Sequence, residues 1–291
     1  MSISLRRKTA RVIFGIVCAI LFFLVLMIFL PAKPGSAERM TFEAAKGEGT
    51  REISYALEQQ GLIRSAPVFR AYTLTLGISH RLQAGTYILG PGMSANEIAF
   101  KIAKGDVAKE YFTILEGWNI EDIKEYFVKK GRVMDISADL EGYLFPDTYH
   151  VRYFASNEEI ISMMRSNFDK KFSDAFRRQA LKQGKTINEI VVMASLLERE
   201  LQTFQDKKIA SGLLWKRLEH GIALQVDAAP DTYKERGLPA VPIANPGLES
   251  IEAALYPQES PYWYYLSTKE GETIFSKTLE EHNIAKAKYL K

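Results

Sequence analysis

Two glutamates close the stretch M-A-S-L-L-E-R-E, Met193 to Glu200, at the end of an apolar run that begins near Ile187. A carboxyl group in apolar, recessed surroundings keeps its proton to a higher pH than one in water. Such a group can protonate a leaving oxygen near neutral pH. Neighbours on one helix face lie three or four residues apart, so Glu198 shares a face with Val191, Ala194, Ser195 and Leu201. The small residues Ala194 and Ser195 leave space beside it, which makes Glu198 the candidate general acid. Glu200 falls about 200° further round the axis. The two carboxyls therefore do not meet in one site on a regular helix, although a distant carboxylate could still pair with Glu198. The plainer alternative is a helix that reaches solvent and turns charged.

The element that must carry these residues is a helix from Thr186 to about Gln205. Thr186 and Glu189 have capping-box spacing at its start. Ile187, Ile190 to Ala194, Leu196 and Leu197 make it apolar on nearly every face, which predicts a central helix. Asn157 to Gln183 reads as a charged, amphipathic helical stretch packed outside it.

Val12 to Leu30 contains no charged residue and is long enough for a hydrocarbon core of about 30 Å. Arg6, Arg7, Lys8 and Arg11 precede it, and that basic flank predicts a cytoplasmic N-terminus. Residues 1–11 are then a basic tail, 12–30 a transmembrane helix and 31–40 a linker, with everything later outside the cytoplasmic membrane. A cleaved signal peptide is the competing reading, because G-S-A at 35–37 has small-residue cleavage character. The apolar run is longer than a usual signal core, which favours a retained anchor.

The bulk composition narrows the chemistry. The chain has 291 residues, 38 basic and 35 acidic, and a net charge of +3, which gives no basis for nucleic acid as a partner. One cysteine, Cys18, lies inside the apolar run, so no disulfide framework or multi-cysteine metal site is expected. His80, His150, His220 and His282 lack zinc-hydrolase spacing, and no Gly-rich phosphate loop is present. No metal and no cofactor is expected.

Downstream of the apolar run, Phe42–Ile63 and Phe112–Val133 align as two copies of one pattern. Phe42 matches Phe112, Gly47 matches Gly117, Ile53 matches Ile123, Leu57 matches Phe127 and Gly61 matches Gly131. Each copy predicts a short strand, a glycine turn, an amphipathic helix and a capping glycine. A partial third copy runs from Gly92 to Gly105, with a capping box at Ser94 and Glu97. These units resemble LysM-type glycan-binding modules, with Trp118 at a turn where it could stack on a sugar ring or simply pack.

Further motifs are E-G-Y-L-F-P-D-T-Y (141–149), A-S-L-L-E-R-E (194–200), L-Q-V-D-A (224–228) and P-I-A-N-P-G (242–247). S-I-E-A-A-L-Y-P (250–257), Y-W-Y-Y-L (262–266), F-S-K-T (275–278) and Glu281-His282 follow in order. Together they resemble the MltG (YceG-like) endolytic murein transglycosylase family over nearly the whole chain from about residue 40.

That resemblance implies a membrane-anchored enzyme that cuts peptidoglycan glycan strands internally. It implies that Glu198 is the general acid/base. Glu198 would protonate the oxygen between N-acetylmuramic acid and N-acetylglucosamine, then take the proton of the muramic C6 hydroxyl to close a 1,6-anhydro ring. Glu141, Asp147, Gln225, Asp227 and Asn245 are the expected substrate-binding residues. The expected partners are glycan strands and the cytoplasmic membrane, with cell-wall synthases as further candidates. The expected architecture is α+β: the span, a LysM-like module over 41–135 and a mixed α/β catalytic domain over 136–291.

One departure stands out. After L-Q-V-D-A the chain passes almost directly to P-D-T-Y-K-E-R-G-L-P, where the family carries a longer segment. A shortened cleft border leaves a rival reading, a catalytically weak glycan-binding or scaffold protein of the wall-synthesis apparatus. A hydrolytic glycosidase using an activated water is the third.

Overall fold

The computed structural model describes residues 3–153 and 155–290. The fold is mixed α+β, in two compact units. Unit 1 comprises residues 1–110 with 151–154, and unit 2 comprises 111–150 with 155–291.

Unit 1 opens with α1 (Ile3–Phe29), whose segment Arg11–Phe29 has mean hydropathy 3.3 and no side chain buried. By length and composition this helix suffices to cross a membrane. Then come β1 (Met40–Ala44), α2 (Thr50–Gln59), α3 (Ala66–Thr75), β2 (Gly85–Leu89) and α4 (Ala95–Ala103). β1 and β2 pair antiparallel, Met40 opposite Leu89 and Ala44 opposite Gly85. Phe42, Leu57, Tyr87, Leu89, Ile98 and Ile102 are fully buried around this ribbon. The capping box expected at Ser94 is present, with reciprocal bonds to Glu97.

The remaining elements are β3 (Lys109–Thr113), α5 (Ile120–Lys129), β4 (Thr148–Arg152), α6 (Asn157–Lys171) and α7 (Asp174–Lys182). Next are α8 (Ile187–Glu200), α9 (Phe204–Glu219), α10 (Leu248–Leu255), β5 (Tyr264–Ser267), β6 (Thr273–Ser276) and α11 (Leu279–Tyr289). β3 pairs with β4, and β5 with β6.

The two aligned stretches share their local structure. Phe42 and Phe112 sit buried on strands, and Gly47 and Gly117 turn with φ of 95° and 79°. Buried Ile53 and Leu57 on α2 correspond to buried Ile123 and Phe127 on α5, and Gly61 and Gly131 follow with φ of 69° and 76°. A residue with a Cβ is disfavoured at such angles, which explains the recurring glycines. The first copy lies in unit 1 and the second in unit 2.

In unit 2, α8 is the central helix, with every residue from Ile190 to Leu197 buried. Its start is as expected: Thr186 Oγ1 accepts from Glu189 N at 3.1 Å and Glu189 Oε2 from Thr186 N at 2.7 Å. Its end is earlier than expected. Leu201 is extended, at φ −132° and ψ 142°, and Thr203 caps a new helix, α9. The periodic pattern runs on to residue 205 because the two helices abut with only a short turn between them. The stretch 157–183 likewise divides, α6 ending at Lys171 with Phe172 as its C-cap and Ser173 capping α7.

Candidate active site

The stop at Glu200 fixes where each glutamate goes. Glu198 lies two residues inside the end of α8 and turns toward α9 and α10. Its side chain is 8% exposed and that of Lys207 on α9 is 4% exposed, with Lys207 Nζ 3.0 Å from Glu198 Oε1. Glu198 Oε2 accepts from Gly247 N at 2.9 Å and from Ser250 Oγ at 2.7 Å. The apolar recess expected around Glu198 is therefore absent: an ammonium and two further donors converge on the carboxylate. Glu116 stands close by, its carboxyl packed against Gly247. Burial, then the neighbouring charge of Glu198, raises the Glu116 pKa.

Glu200, the last residue of α8, turns the other way, as the rotation argument requires. It lines a cavity of about 220 Å³ with Gln225, Asp227, Tyr233, Tyr265 and His282, closed by Arg217 and Lys286. Glu198 is not among the lining residues. Glu200 Oε1 accepts from Ala228 N at 2.6 Å. Burial raises the Glu200 pKa, and the charge of Asp227 adds to the rise, while the Ala228 bond opposes it. Tyr233 donates to the Asp227 carboxylate, and burial, then Asp227, pushes the Tyr233 phenol up to about 12. Burial beside Glu200 also raises the Tyr265 phenol well above its ordinary value.

The loop bearing Gln225 and Asp227 is held by one buried hydroxyl. Thr232 is 3% exposed. Its Oγ1 accepts from Val226 N at 2.9 Å and donates to Ala229 O at 2.6 Å. Gln225 N donates to Thr232 O at 3.1 Å. Gln225 itself has φ 54°, the left-handed region that non-glycine residues seldom adopt. Strain of this kind clusters at functional sites.

The other expected binding residues lie elsewhere in unit 2. Asn245 is fully buried and accepts from Leu144 N at 2.8 Å, while its Nδ2 donates to Trp118 O at 2.9 Å. Glu141 Oε2 accepts from Ile120 N at 3.0 Å and so caps the start of α5. These two side chains fasten three chain segments together. Trp118 packs on Tyr126, with ring centroids 5.3 Å apart. Asp147 accepts from Asn167 Nδ2 at 3.0 Å and lines a separate open cavity of about 350 Å³ with His150 and Lys170. Of the residues expected to bind substrate, Gln225 and Asp227 come together with Glu200, and among the described residues none of the five hydrogen-bonds Glu198.

Sequence reasoning left Glu200 without a role and did not single out Tyr233 or Lys207. The signal for Glu200 was Asp227 in L-Q-V-D-A, a second acid returning to the motif. Lys207 carried no signal, because lysine is rarely buried.

Helix-rich unit 2 thus holds a carboxylate-centred cavity in which Glu200 stands beside Asp227 and two tyrosines. The YceG-like family model matches residues 42–230 and 231–288, and the chain belongs to that family. The two matched parts meet at Pro230–Asp231, where the sequence reads as shortened. A Bacillus subtilis (strain 168) protein named endolytic murein transglycosylase is 28% identical over 89% of this chain and 87% of its own length. A Streptococcus pneumoniae (serotype 2) protein of the same name is 25% identical over 89% of this chain. The match spans 60% of that longer protein. The crystal structure of a YceG-like protein of Listeria monocytogenes superposes with a TM-score of 0.55 at 29% identity, covering 86% of this chain and all of that one.

Proposed function

We propose that this chain is a peptidoglycan lytic transglycosylase whose general acid/base is Glu200 rather than Glu198. The observation that carries this reading is the Glu200 cavity, where burial and a neighbouring carboxylate raise the pKa of an acid that lines open space. A raised pKa keeps the proton available near neutral pH. The names of the relatives support glycan strands of murein as the substrate.

In the reaction, the Glu200 carboxyl gives its proton to the glycosidic oxygen as the C1–O bond to the muramic ring breaks. Positive charge then develops at C1 and the ring oxygen, and Asp227 lies on the same cavity to offset it. The Glu200 carboxylate next removes the proton of the muramic C6 hydroxyl. O6 bonds to C1, the 1,6-anhydro ring closes and Glu200 is again protonated. No water is consumed. Glu198, tied to Lys207, Gly247 and Ser250, fixes the ends of α8, α9 and α10.

α1 supports attachment to the cytoplasmic membrane through one span, with the basic flank inside and the chain after about residue 31 outside. The strand–helix–helix–strand order of β1, α2, α3 and β2 supports the LysM-like, glycan-binding reading of that region.

The test is digestion of purified murein by the full chain in detergent, with products weighed by mass spectrometry. Fragments lighter by one water than hydrolytic ones carry anhydro ends and support the reaction. Reducing ends would establish hydrolysis instead. Glu200→Gln is expected to lower the rate by about two to four orders of magnitude. Full activity in Glu200→Gln, with loss in a correctly folded Glu198→Gln chain, would return the role to Glu198.

A further inference from the structure

The Glu200 cavity holds two buried polar atoms that the fold leaves unused. His282, on α11, is 7% exposed, lines the cavity, and finds no partner for Nδ1 among the described residues. The hydroxyl of Tyr265, on β5, is buried against Glu200, near enough to lower that carboxyl's pKa but outside ordinary hydrogen-bond geometry, so it has room to bond a ligand as well. A buried polar group without a partner costs about 1–3 kcal/mol. Two of them on one cavity, next to a buried acid, are sites that a ligand oxygen satisfies. The imidazole is held in place by Tyr264, whose ring stacks on it at 5.2 Å and 23°. Burial, with Lys286 and Arg217 nearby, lowers the His282 pKa. A neutral ring with a free Nδ1 suits a sugar hydroxyl or amide, uncharged groups that both donate and accept.

We propose that His282 is a substrate-binding residue of the Glu200 site, its Nδ1 and the Tyr265 hydroxyl together bonding the polar substituents of one sugar ring and holding that ring against the acid. This rests on the glycan-cleaving reading above, but it concerns binding and is testable without turnover. The arrangement also gives the C-terminal helix a role at the site: α11 delivers one side chain to a cavity whose acid comes from α8.

The experiment measures binding of a peptide-free glycan tetrasaccharide, alternating N-acetylglucosamine and N-acetylmuramic acid, to the full chain in detergent carrying Glu200→Gln. His282→Phe keeps the ring volume and the stack on Tyr264 but removes both nitrogens. It is expected to weaken binding about tenfold, the worth of one or two lost hydrogen bonds. His282→Asn places an amide near the Nδ1 position and is expected to recover most of that loss. Tyr265→Phe removes one oxygen and is expected to weaken binding by a similar factor with an unchanged melting temperature. Binding within twofold of the parent in His282→Phe would overturn the proposal. So would equal weakening and a lowered melting temperature in both His282 variants, the mark of a packing role. If the parent chain with Glu200 intact cleaves no murein yet the histidine series behaves as expected, the transglycosylase reading fails and this binding role stands.

Discussion

The backbone N–H of Ala228 donates to Glu200 Oε1 at 2.6 Å, which ties the acid to the loop that carries Asp227. This contact orients the carboxyl and limits how far its pKa rises. It joins two segments 28 residues apart and sets the geometry on which the following expectations depend.

Activity should depend on protonated Glu200. Its pKa is raised, so the rate should fall as pH climbs through that raised value. The stability sign follows from the same shift. Below the ordinary glutamate pKa both folded and unfolded states are protonated and nothing is lost. As pH rises above it, the unfolded chain ionises first, so stability is lost up to the raised folded value. Glu200→Gln should therefore gain stability relative to the parent between acidic and neutral pH, measured by denaturant melts at several pH values.

Breaking the Glu198–Lys207 pair should be costly. Both side chains are nearly inaccessible, and removing one partner leaves a buried charge alone, at about 3–5 kcal/mol. Glu198→Gln should lower the denaturation midpoint sharply. Glu198→Gln combined with Lys207→Met should be more stable than Glu198→Gln alone, because the orphaned ammonium is gone.

Thr232→Val keeps the shape and deletes the hydroxyl that closes the loop. It should cost about 1–3 kcal/mol through the unsatisfied Val226 N–H, while the Ala229 carbonyl keeps its bond from the backbone N–H of residue 232. Activity should fall further than stability, since Gln225 and Asp227 lose their positions. A murein-release assay beside a thermal melt separates the two effects.

Gln225 adopts a backbone angle that costs an ordinary residue about 1–2 kcal/mol. Gln225→Gly should relieve that cost and melt at the same temperature or higher, while lowering activity because the side chain lines the cavity. Gln225→Val, branched at Cβ, should melt lower than either.

Local patterns in the sequence carried a good deal of this fold. The Thr186 capping box, the burial of α8 and the paired strand–turn–helix stretches all follow from spacing within a few residues. The opposed directions of Glu198 and Glu200 follow from helical rotation alone. The partners of those glutamates were not legible, because they come from chain far away: Gly247 and Ser250 for one, Ala228 for the other. The apolar setting expected for Glu198 failed because Lys207, nine residues on, folds back across a turn that the continuous apolar pattern concealed. The contacts of Asn245 and Glu141, expected to bind substrate, were likewise not legible: Asn245 is fully buried against Leu144 and Trp118, and Glu141 caps α5.

The Thr232 clasp has a consequence for length. It closes residues 225–232 upon themselves, so the part of the cavity wall that carries Gln225 and Asp227 is set before Lys234. Whatever follows, from Lys234 to Pro242, enters a loop whose closure entropy changes only slowly with added residues. Insertions and deletions there leave the acid and its aspartate undisturbed. Changes of length from Lys234 to Pro242 can thus leave the Gln225–Asp227 geometry in place while the outer rim, and with it the fit of longer glycans, is free to diverge.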